Sequence, residues 1–346
     1  MPDLILINPG GREQNYQALG ADLTAIEPPL WCRLIAGYCR DHGHNVTIID
    51  AEAEDLSPEQ VAERVVRYNP DLIGMIVYGH QPNASTQQMA PASDICRAIK
   101  AVTTIPIIIA GGHVSVLPEK TLREESVDYV AIGEGAITIE LLVSGKPLDD
   151  ISGLAWLFYM ANGQSVASGD SVACYRHTKP APLLTPQELH GNVWDLLPMD
   201  KYRAHNWQTT ERQPYASIYT SLGCPFKCVF CCINSPFGGP GYRMRRPQDV
   251  VNEVDHLYRQ HWVKTFKITD EMFVLKPDHY LTICEGLAAL PYTKELNFWA
   301  YARIDTVRSD NLALLRRAGI RWLALGIESG SAHVRDGALK KIDHQD

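Results

Sequence analysis

Ser221-Leu222-Gly223-Cys224-Pro225-Phe226-Lys227-Cys228-Val229-Phe230-Cys231-Cys232 is the stretch that decides how this 346-residue chain is read. It follows the strand-like run Ala216–Tyr219. Cys224, Cys228 and Cys231 have the spacing C-x-x-x-C-x-x-C. Three thiolates on one short loop can hold three irons of a four-iron, four-sulfur cube. The fourth iron then lacks a protein ligand and is open to a small molecule. Zinc and buried structural thiols are the competing readings. Zinc takes four protein ligands, commonly in two C-x-x-C pairs. No second pair exists: Cys32, Cys39, Cys96, Cys174 and Cys284 are dispersed single residues. Cys232 offers another register, C-x-x-x-C-x-x-x-C; its alternative role is that of a small core residue.

Downstream, the pattern alternates between strand and helix. Helical stretches are expected at Pro247–Gln260, Pro277–Leu290 and Asp310–Ala318, with Val250, Val254 and Leu257 on one face of the first. Strands are expected at Thr265–Ile268, Leu296–Ala300 and Trp322–Ile327. Each runs into charged residues: Asp270-Glu271, Arg303 to Asp305, and Glu328. Taken singly, each of these is equally readable as a surface or helix-capping charge. Arg243, Arg245 and Arg246 follow the cysteine loop. They are candidates for substrate or cofactor contacts, with a solvated basic loop as the alternative.

Upstream, apolar runs at Leu4–Ile7, Val46–Ile49, Leu72–Val77, Ile105–Ala110 and Tyr129–Ile132 are short, rich in Ile and Val, and not alternating. That is the pattern of parallel strands buried on both faces. Helical stretches lie between them at Leu30–Asp41, Pro58–Tyr68, Thr86–Ala101 and Ala136–Ser144. Ser57 before Pro58 reads as a helix N-cap. The expectation is an α/β chain: a doubly wound, parallel, five-stranded Rossmann-like domain followed by a partial (β/α) barrel. Doubly wound sheets bind ligands beyond the carboxyl ends of their strands. The loops there are Asn8-Pro9-Gly10-Gly11, Tyr78-Gly79-His80-Gln81, Gly111-Gly112-His113-Val114-Ser115 and Gly133-Glu134-Gly135. Glycines allow close backbone approach to a large ligand; plain turn glycines are the alternative. The Gly133/Gly135 pair lacks the third glycine of a dinucleotide fingerprint.

Between the halves, Leu154–Met160 and Gln164–Ala167 flank Ala161-Asn162-Gly163, a hairpin signal. Proline and polar residues then dominate from Lys179 to Gln187, before Trp194-Asp195-Leu196-Leu197-Pro198. The expected division is 1–145, a hairpin and linker at 146–210, and 211–346.

Composition is that of an ordinary folded chain, 45% hydrophobic and 21% charged, with formal net charge −8. An acidic balance argues against wrapping nucleic acid. Nine cysteines are too few for a disulfide scaffold, and four close together suggest metal or redox chemistry in a reducing compartment. No basic region precedes Leu4–Ile7, which argues against a secretory signal. No apolar run approaches the ~20 residues of a membrane helix. A cytoplasmic protein without a membrane span is expected.

The first 145 residues resemble the cobalamin-binding domain that precedes many radical SAM enzymes. The resemblance rests on Glu27-Pro28-Pro29-Leu30, Gly43-His44-Asn45-Val46 into Ile49-Asp50, Pro70-Asp71-Leu72-Ile73-Gly74, Gly111-Gly112-His113, and Asp128-Tyr129 through Gly133-Glu134-Gly135. No Asp-x-His-x-x-Gly sequence occurs, so no histidine of that motif can lie under cobalt. Asn8, Tyr78, His80, Gly111, Gly112, His113, Gly133, Glu134 and Gly135 become candidate cobalamin contacts; Tyr78 and His80 could face the corrin from below. The cysteine motif, with Phe230 before its last cysteine, resembles the radical SAM signature. In that family the open iron chelates S-adenosylmethionine, and the reduced cluster cleaves it to a 5′-deoxyadenosyl radical. By the same resemblance, Asp270 and Glu271 match the place that meets the methionine amine. Glu328 matches the place that meets the ribose hydroxyls, and Arg303 is a candidate partner for the carboxylate.

The resemblance implies a cobalamin-dependent radical SAM enzyme with a four-iron, four-sulfur cluster, S-adenosylmethionine and cobalamin. The implied reaction is methyl transfer to an unactivated carbon of a small molecule. Oxidative cyclisation of the tetrapyrrole-cyclase type is the runner-up. A flavodoxin- or ferredoxin-type reductant is implied. Two further readings stay open: a cobalamin carrier or sensor with an inactive barrel, and a radical SAM enzyme without cobalamin. The family barrel has six strands; four fit before Asp346, so a chain truncated within the barrel is expected.

Overall fold

The computed structural model describes the chain except residues 18, 79–81, 162–163, 166–171 and 341–346. His80 and the Asn162-Gly163 turn lie outside the described residues. Strands β1 (Leu4–Asn8), β2 (Val46–Asp50), β3 (Leu72–Ile76), β4 (Ile107–Ala110) and β5 (Tyr129–Ala131) form a parallel sheet in the order β2-β1-β3-β4-β5. Their side chains are almost all buried, as runs of Ile, Val and Leu between two helical layers should be. Helices Leu30–Asp41, Pro58–Tyr68, Met89–Val102 and Ala136–Val143 supply those layers. The Ser57 hydroxyl accepts the Gln60 N–H at 3.3 Å, and the Gln60 side chain accepts the Ser57 N–H at 2.8 Å. This reciprocal cap contributes about 1 kcal/mol to the second of these helices.

The sheet does not stop at the fifth strand. β6 (Leu154–Ala161) pairs antiparallel with β5. β7 (Gln164–Ser165) and β8 (Val172–His177) both pair with β6. The hairpin expected in the linker therefore extends the first sheet. β8 has only half-buried or exposed residues.

The second sheet is built from β9 (Tyr215–Ile218), β12 (Thr265–Ile268), β13 (Asn297–Arg303) and β14 (Ile320–Gly326). It is four-stranded and parallel, in the order β14-β13-β12-β9. Between β9 and β12, the short pair β10 (Ser221–Leu222) and β11 (Arg243–Met244) closes the base of the cysteine loop. Helices Pro247–His261, Pro277–Ala288 and Ser309–Arg317 cover the outer face. Val250, Val254 and Leu257 point inward from the first, and Phe266 stacks on Phe298 at 4.7 Å.

The segment between the sheets is packed in the core, with Leu189, Trp194, Leu197 and Tyr202 buried. One hydrophobic cluster runs from Leu4 and Leu34 of the first sheet and its helix to Phe266 and Phe298 of the second. No described helix is long and apolar enough to cross a membrane.

Candidate active site

The cysteine loop leaves β10 at Gly223, whose φ of 86° and whose distance to Gly241 (an added Cβ would lie 2.8 Å from the Gly241 carbonyl) both demand glycine. Asn234 clips the loop from inside. Its side chain accepts the Cys224 N–H at 3.4 Å and donates to the Phe226 carbonyl at 3.2 Å. Cys224, Cys228 and Cys231 then line a cleft of about 210 Å³ with Glu271, Arg303 and Glu328. Cys232 is exposed and is not among the cleft-lining residues.

Among the described residues, no three His, Cys, Asp or Glu side chains close on a point as a single metal ion requires. A cube binds each thiolate to a different iron, so its ligands stand farther apart. Burial pushes Cys224 and Cys231 above the ordinary thiol range, and Glu271 and the neighbouring thiols add to it. A positively charged metal centre, zinc or an iron core alike, reverses such a bias, so the choice between them rests on the three-cysteine ligand set without a convergent fourth ligand among the described residues. The loop fits a cluster and does not fit zinc.

The carboxylates expected beside the cluster divide by role. Asp270 is 1% exposed and accepts from the Thr220 N–H at 2.6 Å, the Thr220 hydroxyl at 2.5 Å and the Ser221 hydroxyl at 2.5 Å. It braces the start of the cysteine loop. Glu271 accepts the Gly223 N–H at 3.1 Å; burial raises it to about 8, helped by Asp270 and opposed by Arg243. Arg303 forks onto Asp305 at 2.9 and 2.8 Å, with its guanidinium 4.0 Å above the Phe226 ring. Glu328 has a left-handed φ of 64° and pairs with Lys340 at 2.6 Å.

The first sheet's candidates also divide. Asn8 and Tyr78 line a narrow cleft between the two sheets, together with Glu27, Trp31, Glu52 and Thr269. Asn8 donates to Asp50 at 2.8 Å. Tyr78 stacks on Trp31 at 4.4 Å and donates to the Gly133 carbonyl at 3.1 Å. Acceptors and hydroxyls alternate there with the apolar faces of Pro28, Pro29 and Trp31. That mix of polar and apolar side chains is of the kind that meets an amide-rimmed macrocycle, but the open space among them is only about 40 Å³, too small for one as the sheets sit in this structure. Gly111, Gly112, His113, Gly133, Glu134 and Gly135 do not line this cleft. Their loops meet the turn Ser235–Phe237 that follows the cysteines: the Ser235 hydroxyl lies 3.5 Å from the Gly112 carbonyl.

Several residues were missed in the sequence. Ser85 donates to the Val77 carbonyl and accepts the His113 N–H at 3.0 Å; Ser115 donates to Gly111 at 2.7 Å and accepts the Gly133 N–H at 3.0 Å. These two hydroxyls staple the glycine loops. Lys267, in β12, pairs with Glu27 at 2.9 Å, both buried. Arg245, already a candidate, joins the missed Arg33 and Glu253 in a second buried group. A signal was present: Lys267 and Arg33 are charges on otherwise apolar, core-facing runs. Arg245 is buried and Arg243 is paired with Glu134, so the solvated-loop reading holds only for Arg246.

A glycine-looped parallel sheet before a three-cysteine half barrel defines the class. Residues 16–143 match the B12 binding domain family, and residues 218–344 match the radical SAM superfamily. The two matches together span most of the chain, a B12-binding domain followed by a radical SAM domain. It is 30% identical to an uncharacterized methyltransferase of Pyrococcus horikoshii, over 92% of this chain and 64% of that protein. It is 26% identical to the anaerobic magnesium-protoporphyrin IX monomethyl ester cyclase of a Synechocystis species, over 99% and 65%. It thus spans less than two thirds of either relative. The radical S-adenosylmethionine methyltransferase TsrM from Kitasatospora setae superposes with a TM-score of 0.71 at 20% identity, over 97% of this chain and 61% of that one.

Proposed function

We propose that this chain is the cofactor-bearing part of a cobalamin-dependent radical SAM methyltransferase acting on an unactivated carbon of a small molecule. The observation that carries the reading is β12. Lys267 and Thr269 tie to the inter-sheet cleft, through Glu27 and directly, while Asp270 and Glu271 tie to the cysteine loop. Two candidate cofactor sites are thereby held by five consecutive residues. When bound, the cluster supplies the electron that cleaves S-adenosylmethionine, and the corrin supplies the methyl group.

In this reading Cys224, Cys228 and Cys231 hold three irons. Arg303, already oriented by Asp305, presents its guanidinium to the methionine carboxylate. Glu271 would meet the amine and Glu328 the ribose hydroxyls, while Asp270 positions the loop. Asn8, Glu27, Glu52 and Thr269 would offer polar partners to corrin amides and Tyr78 an aromatic face, in a cleft that must widen to admit the ring. His80, Gly111, Gly112, His113, Gly133 and Gly135 are proposed for the wider surround of the corrin, outside the cleft lining itself, while Glu134 is committed to Arg243 and is not a cofactor contact. The proposed division is 1–145 for cobalamin, 146–210 for the hairpin that extends its sheet and the linker, and 211–346 for the radical SAM part. A flavodoxin- or ferredoxin-type protein supplies the electron, no nucleic acid is bound, and the protein works in the cytoplasm.

The cyclase reading draws on the Synechocystis relative. Anaerobic reconstitution with iron, sulfide and hydroxocobalamin, followed by desalting, tests the proposal. About four irons and one cobalt per chain are expected, with 5′-deoxyadenosine released on reduction with S-adenosylmethionine. S-adenosylhomocysteine alongside it supports methyl transfer over cyclisation. Iron without cobalt ends the cobalamin half; cobalt without iron leaves a carrier.

A further inference from the structure

Glu134 is flanked by two glycines in left-handed conformations, Gly133 at φ 100° and Gly135 at φ 85°. A side-chain-bearing residue avoids that region. The pair turns the chain so that one carboxylate leaves the first sheet's layer and enters the seam with the second. There Glu134 meets Arg243 of β11, the strand that closes the cysteine loop. The contact is a fork: Nη2 donates to Oε1 at 2.5 Å and Nη1 to Oε2 at 3.3 Å. Glu134 also accepts the Leu184 N–H at 3.1 Å, and Arg243 donates to the Leu184 carbonyl. Three segments therefore converge on one ion pair: the last glycine loop, the connection between sheets and the strand behind the cysteines. The side chains are only 5% and 21% exposed, so water competes weakly. Around the pair runs a closed circuit. Arg243 lies over the Phe237 ring at 5.1 Å, Phe237 packs on Trp31 at 6.2 Å, Trp31 stacks on Tyr78, and Tyr78 donates back to Gly133.

We infer that Glu134 and Arg243 are positioning residues, a latch that sets the separation between the cobalamin site and the iron–sulfur cluster. The inference rests on the proposed function above and adds a role that neither cofactor site explains alone. A bidentate pair fixes both distance and angle, whereas a single hydrogen bond leaves the angle free. Methyl transfer to a substrate radical needs that fixed geometry, since small misplacements cost large factors in rate.

The test is Glu134→Gln in the full chain, loaded with both cofactors and reduced until the cluster and cob(II)alamin are both paramagnetic. Glutamine keeps the acceptor for Leu184 but loses the charge. The expected result is unchanged iron and cobalt per chain with loss of the resolved dipolar splitting between the two centres. Arg243→Lys, which keeps charge but not the fork, should retain part of that splitting. An unchanged spectrum in Glu134→Gln overturns the latch. So does selective loss of cobalt, which would make Glu134 a cofactor contact. If Glu134→Gln fails to fold, Arg243→Lys alone decides: an unaltered splitting there overturns the latch. Wild-type protein that takes up iron but no cobalt overturns the underlying reading, and the latch with it.

Discussion

Cys231 and Cys232 are adjacent, yet only one belongs to the cleft. Cys231 is half-buried and faces Glu271, while Cys232 is exposed. Cys232→Ala should therefore keep about four irons per chain after reconstitution. Cys231→Ala should lose the cluster's visible absorption and most of its iron; the reverse result would shift the register to Cys232. A second residue-scale prediction concerns Glu52, which burial raises to about 7 in the folded chain, the nearby Arg12 opposing. A carboxyl raised on folding stabilises the fold below its unfolded pKa, near 4.3. That contribution is lost as pH rises from there through about 7. Asp50, raised to about 6, adds in the same direction over a narrower window. Urea melts between pH 4 and 8 should show this loss, as much as ~3 kcal/mol for Glu52, and Glu52→Gln should reduce it, leaving the part owed to Asp50 and to Glu271, raised to about 8. A wild-type profile without the decline would sink the account.

At the scale of elements, β12 carries the most consequence. Phe266 and Ile268 face the helices, and Lys267 points the other way, 5.0 Å from the Trp299 ring and paired with Glu27. Lys267→Met leaves Glu27 buried without its cation, which should cost ~3–5 kcal/mol. Glu27→Gln with Lys267→Met should recover much of that loss, because no lone charge remains. Denaturant midpoints of the two variants measure the difference. Equal midpoints would mean that the pair is not coupled as described. Strand identity itself was legible: Thr265–Ile268 matches at both ends, and so does the helix Leu30–Asp41. Apolar periodicity reports burial directly, so buried elements show. β8, β10 and β11 escaped because they are short or half-exposed and their pairing is decided by distant partners.

At the scale of the whole molecule, the two sheets are joined by a buried ionic group. Arg33, on a first-domain helix, donates to Glu253 at 3.3 Å and to the Ser217 carbonyl at 3.1 Å, and stacks on Trp194 at 3.6 Å. Arg245 reaches the same carboxylate at 2.6 Å. One carboxylate thus holds two guanidiniums from opposite sides of the seam. Its pKa is lowered by Arg245 and Arg33 although burial, the largest influence, works against them. Calorimetry should show one unfolding transition for the whole chain. Glu253→Gln leaves the two cations facing each other and should cost ~3–5 kcal/mol, lowering the transition and splitting it. Two transitions in the wild type would mean that the halves melt independently.

The sequence by itself determined the local chemistry and the order of parts: three thiols on one loop, five buried parallel strands before it, and βα units after it. Those are matters of spacing and periodicity, encoded over a few residues. Only the tertiary structure decided how the charged residues are used. Asp270 braces a loop, Glu134 reaches across the seam to Arg243, and Lys267 holds Glu27 from 240 positions away. A charge in a sequence looks the same whether it meets water, a ligand or a distant partner. Which one it meets follows from what packing excludes, because a buried charge must be paired wherever the fold supplies its counter-ion.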